Sequence, residues 1–72
     1  MKFQYYPDTD SLYLDLADKV SVESIEISPG IVVDYDEDGQ VVGFDIDHAS
    51  KVVNLNKLET YSLPIGDISL SA

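Results

Sequence analysis

The sequence predicts a mainly β, or α+β, fold: one small antiparallel β-meander sheet of five or six short strands with one short helix. Three observations predict it. Apolar residues alternate with polar ones through most of the chain, Pro, Gly and Asp cluster between those stretches, and 44% of the 72 residues are apolar. A chain this short is a single domain, spanning residues 1–72, because independent domains need about 50 residues to close a core.

The first strand is read from Phe3 and Tyr5 alternating with Lys2, Gln4 and Tyr6. Pro7 ends it because proline cannot donate a ladder hydrogen bond, and Pro7-Asp8-Thr9-Asp10 forms the turn. In SLYLDLA, Leu12, Leu14 and Leu16 share one face while Tyr13 and Asp15 share the other. This second strand pairs back on the first, and Asp18-Lys19 makes the next connection.

Val20 and Val22 then alternate with Ser21 and Glu23, but Ile25 and Ile27 fall on odd positions. A β-bulge near Glu23-Ser24 would bring both sets to one face. Pro29-Gly30 supplies the following turn. Ile31, Val33 and Tyr35 lead into a hairpin, and Val42, Phe44 and Ile46 lead out. A four-residue loop over Asp36 to Gly39, opposing Tyr35 to Gln40, places all six on one face. Asp36 suits the first position of a type I turn, and Gly39 suits a positive φ.

Asp47 is a candidate N-cap for a short helix over HASKVV. Beyond it, residues 52–72 form an extension with a weak apolar pattern, in which Thr60 to Leu63 could add an edge strand before Pro64. The last six or so residues are expected to fray.

Cysteine is absent and histidine occurs once, which removes disulfides and a four-ligand zinc site as supports for so small a core. Self-association is the remaining common support, so a homodimer is expected. Fourteen Asp and Glu against four Lys give a formal charge of −10 and a pI near 4.1. Such a surface repels nucleic acid and anionic membranes and attracts a basic protein or a divalent cation. No run approaches the roughly 18 apolar residues of a membrane span, and the start lacks a signal peptide's apolar region. The expected location is cytoplasmic.

One motif carries possible chemistry. Asp34, Asp36, Asp38 and Gly39 match the D-x-D-x-D-G start of an EF-hand loop, with the Gln40 carbonyl at the seventh place and Asp45 at the twelfth. An EF-hand needs flanking helices and a bidentate Glu, whereas these flanks are β-branched and Asp45 is short. The competing reading is a solvated hairpin tip that keeps the sheet from pairing with strangers. A weak Ca²⁺ or Mg²⁺ site through Asp34, Asp36, Asp38 and Asp45 is the alternative function. No cofactor is otherwise expected.

His48 reads as a helix-end surface residue, and Asp8 and Asp10 as turn formers. No Ser or Cys nucleophile pattern accompanies the histidine, so no enzyme is expected and no catalytic residue is assigned. Tyr13 and Asp15, on the polar face of the second strand, are the candidate interaction residues, since tyrosine adds contact area with a hydrogen-bonding tip.

Tyr5, Pro7, Asp10, Leu12 and Tyr13 form a Tyr-x-Pro-x-x-Asp-x-Leu-Tyr opening, and a Pro-Gly, strand, acidic turn, strand, Ala-Ser block follows. Over residues 2–51 this pattern resembles the small prokaryotic family called domain of unknown function 2283. Tyr6 departs from it, standing where that family usually carries Asp. The resemblance implies the fold. The family has no established biochemical activity, but its members look like companions of small toxins in some genomes, so the resemblance implies an antitoxin-like role. The charge of −10 and the missing catalytic constellation make the expected function a non-catalytic protein-interaction module with an acidic surface.

Overall fold

The fold is that of a computed structural model, which describes residues 1–70. Among them, β1 (Lys2–Tyr6), β2 (Ser11–Asp15), β3 (Glu23–Ser28), β4 (Ile31–Tyr35) and β5 (Val41–Ile46) precede a single helical turn, α1 (Ala49–Val52). The strands form one open antiparallel sheet in the order β1-β2-β5-β4-β3. The expected class is therefore observed.

The strand order differs from a simple meander in one step. β2 pairs with β5, so the chain leaving β2 crosses to the far edge before β3 begins. β3, β4 and β5 then return by hairpins, which makes β2 through β5 a Greek key. Val20 to Val22 belong to that crossing and not to a strand; the Val22 amide donates to the Tyr35 carbonyl at 2.8 Å. With those valines outside the ladder, no bulge is needed at Glu23-Ser24. The register shift lies instead between Glu26 and Ser28.

The hairpin tip also corrects the expected loop. The Gly39 amide donates to the Asp36 carbonyl at 3.1 Å, and the Asp36 amide to the Gln40 carbonyl at 2.9 Å. Asp36 thus opposes Gln40 across a three-residue loop, with Gly39 at φ 76°. A second shift between Asp34 and Tyr35 leaves Val42 as the extra residue on β5. The bulge restores the face assignment: Val33 opposes Phe44 and Ile31 opposes Ile46.

Asp47 is not the helix cap. Its amide donates to Gly30, and His48 at the N-cap is left-handed with no capping side-chain bond. Asp10 takes that role from the β1–β2 turn, forty residues away in the chain. Its carbonyl accepts the Ala49 amide at 2.8 Å, Oδ1 accepts the Ser50 amide at 3.1 Å, and Oδ2 accepts the Ser50 hydroxyl at 2.7 Å. These bonds satisfy orphan donors of the first turn.

Residues 53–70 hold no strand, so the edge strand expected at Thr60 to Leu63 is absent. Ser62 is left-handed at φ 57°, which breaks an extended run, and Pro64 follows. Of the six residues expected to fray, Asp67 to Leu70 have no regular structure, and Ser71 and Ala72 lie outside the described residues.

Registers across the sheet define two faces. Phe3, Leu14, Phe44, Val33 and Ile25 form one row, while Gln4, Tyr13, Asp45, Val32 and Glu26 form a row on the opposite face. Among the described residues, buried apolar ones are few: Val33, Val42 and Ala49. The short helix is too small to make a second layer over the sheet.

Candidate functional site

The polar face is built around Asp34, next to the last residue of β4. Tyr13 reaches it from β2, its hydroxyl donating to Asp34 Oδ2 at 2.8 Å. Ser24 reaches it from β3, donating to Oδ1 at 2.6 Å. Tyr13 must cross β5 to do so, and it crosses at Gly43. A Cβ on Gly43 would stand 2.5 Å from the Tyr13 hydroxyl oxygen and 3.0 Å from the Leu14 carbonyl oxygen. Glycine inside a strand here serves close approach.

The electrostatics follow from this crowding. The hydrogen bond to Asp34, then burial and the charges of Asp34, Asp15 and Asp45, push the Tyr13 phenol up to about 12. It is a fixed, protonated donor at neutral pH. Burial first, then the neighbouring charges of Asp47 and Asp34, raise the Asp45 carboxyl above its ordinary value. Asp15 lies on the same face, opposite Gly43 on one side and Lys2 on the other.

The acidic hairpin tip is a separate place. Asp36, only 6% exposed, turns its carboxylate back on its own loop: Oδ1 accepts the Asp38 and Gln40 amides, each at 2.9 Å. Those amides, with Lys19 at 3.7 Å from Oδ2, hold its carboxyl below the ordinary range despite burial. Asp38 is exposed at the turn. The four residues of the cation motif are thus divided: Asp34 and Asp45 on the sheet face, Asp36 in the turn, Asp38 at the tip. Among the described residues, no group of three or more His, Cys, Asp or Glu is arranged to hold a metal ion.

A third cluster was not legible from motif spacing. Tyr5 donates its hydroxyl to Asp10 Oδ1 at 2.7 Å, beside the two bonds from Ser50. Ser50 and then Tyr5 hold the Asp10 carboxyl below its ordinary value, and the bond to Asp10 raises the Tyr5 phenol. Asp10 is left-handed at φ 52°, a conformation Asp tolerates better than most residues. The lone His48 is exposed beside this cluster. In the sequence, nothing in the Tyr-x-Pro-x-x-Asp opening or in the Ala-Ser pair forty residues on indicates that they meet.

Fold and site together define a small one-layer antiparallel sheet domain with a carboxylate-rich face and a stapled helical turn. The model of the family described as Protein of unknown function (DUF2283) matches residues 2–50, and the chain belongs to that family. The matched stretch ends at Ser50, the residue that completes the Asp10 cluster. No curated protein and no solved structure matches the chain. Among the described residues, no helix is long and apolar enough to cross a membrane.

Proposed function

We propose that this chain is a non-catalytic protein-interaction module that works as a homodimer and presents its acidic sheet face to a basic protein. One observation carries the reading. Asp15, Glu26, Asp34 and Asp45 share a single face of the sheet, with Lys2 as the one basic strand residue beside them, in a chain of formal charge −10. A one-signed rigid face steers an oppositely charged partner and fixes its register. Tyr13, held by Asp34, adds an aromatic anchor of the kind interfaces favour. An antitoxin-like pairing with a small basic protein is the biological form this reading takes.

Native mass spectrometry at physiological salt, with basic proteins encoded by neighbouring genes, tests it. A complex that weakens about tenfold or more in an Asp15→Asn, Glu26→Gln variant supports the reading. Failure of every such neighbour to bind contradicts it.

A further inference from the structure

The opposite face of the sheet is apolar and incompletely covered. Phe3 is 47% exposed, Tyr5 42% and Ile25 43%, although all three lie on the inward-reading face, and among the described residues no large side chain is fully buried. Stable domains close such a face with a second layer. The four-residue helix is too small to make one, and residues 53–70 hold no helix or strand that could. In residues 53–70, Leu58, Tyr61, Ile68 and Leu70 are 64–90% exposed, while Leu55, Leu63 and Ile65 are 38–45% exposed.

We infer that a second copy of this chain is the missing layer, so that two sheets pack apolar face to apolar face. The argument rests on the expectation that the chain self-associates, and it is independent of the basic partner's identity. Charge selects the occupant. Of the charged residues within the strands, only Glu23, at a corner of β3, shares the face of Phe3 and Ile25; Lys2, Asp15, Glu26, Asp34 and Asp45 are on the other. Two copies of charge −10 meet the fewest like charges through this face, where Glu23 is the one strand carboxylate. A basic partner finds no carboxylate row there and is directed to the opposite side.

Size agrees. Five strands about 4.8 Å apart, each of five residues at about 3.4 Å, make a face of roughly 24 by 17 Å. Two such faces pressed together cover roughly 800 Å² in projection, and side-chain relief brings the accessible surface removed to about 1,000 Å², the lower bound for a specific interface. Phe3, Tyr5, Tyr35 and Phe44 give that face aromatic bulk, the residue type enriched at interface centres. The polar face is left outward on both sides of the resulting sandwich.

The test is sedimentation equilibrium of the full chain with Phe3→Asp and Ile25→Asp, which load charge onto opposite edges of the same face. Tyr6→Asp is the control, because Tyr6 is 46% exposed on β1 but faces the other way. The wild type is expected to be a dimer whose thermal midpoint rises with concentration. Each face variant is expected to raise the dimer dissociation constant about tenfold or more, and Tyr6→Asp to leave it near wild type. A monomeric wild type overturns the inference, as does a dimer indifferent to Ile25→Asp, which would indicate pairing through the β1 edge. Should a face variant unfold, mixed labelled and unlabelled wild-type dimers decide: intermolecular proton contacts at Phe3, Leu14 and Ile25 support the inference, and their absence in a dimer contradicts it. Loss of the dimer leaves the acidic face intact, so this failure is distinct from failure to bind a basic protein.

Discussion

The two faces of the sheet are made from the same five strands, yet they are held by different physics. On one face, Leu14, Phe44 and Val33 lie in a cross-strand row and are stabilised by burial. On the other, Tyr13, Gly43, Asp34 and Ser24 are joined by directed hydrogen bonds, while unpaired carboxylates repel one another. The first face gains from any neighbour that excludes water. The second is stabilised within the chain by a few directed bonds and retains negative charge. Alternation along a strand thus gives one sheet an apolar face and a charged, hydrogen-bonded one.

The comparison can be broken most forcefully from the apolar side. Phe44→Ala removes a partly buried ring between Leu14 and Val33 and is expected to cost about 2–3 kcal/mol, read by denaturant unfolding. A loss below about 0.5 kcal/mol would show that the row is not a core. On the polar side, Gly43→Ala drives a Cβ into Tyr13 and the Leu14 carbonyl, with an expected cost of about 1–3 kcal/mol. The same variant should release Tyr13 from Asp34, so its phenol titration, followed by NMR, should fall from about 12 toward the ordinary value near 10.

Acid sharpens the comparison because the carboxyl groups of Asp10 and Asp36 are shifted one way and that of Asp45 the other. Asp10 and Asp36 have lowered values, so their stabilisation is present above the ordinary carboxylate value near 4 and is lost as pH falls through their folded values. Asp10→Asn should therefore lower the thermal midpoint at pH 7 by several degrees and flatten the acid limb of the unfolding profile. Asp45 has a raised value, so its penalty is absent at low pH and grows as pH rises through the folded value. Asp45→Asn should raise the midpoint at pH 7 by a few degrees and change little below about pH 4. The smallest effect is expected from calcium. Asp34 and Asp36 already accept two hydrogen bonds each, so calorimetry should show no saturable heat at micromolar calcium.

Two aspartates show how far the sequence could be read. Asp36 bonds amides two and four residues ahead, and such short-range turn chemistry is legible from the order Asp-Glu-Asp-Gly alone. Asp10 bonds Ser50, and nothing local in the turn indicates a partner forty residues on. Asp47 looked like the cap because capping rules are local, and a tertiary bond took its place. The five strands were legible for the same reason as Asp36, since period-two alternation is local. The Greek-key crossing was not, because alternation says which face a residue occupies and nothing about which strand lies beside it. Gly43 carried a readable signal, an isolated glycine within a strand, but the tyrosine that needs it comes from β2.

The central claim is that the acidic face alone receives cationic partners. Its most direct measurement is backbone chemical-shift mapping of the labelled full chain titrated with a short oligolysine peptide at physiological salt. The account predicts saturable shifts at Asp15, Glu26, Asp34 and Asp45, with Phe3, Leu14 and Ile25 unmoved. Shifts centred on Phe3, Leu14 and Ile25, with the carboxylate rows silent, would contradict it.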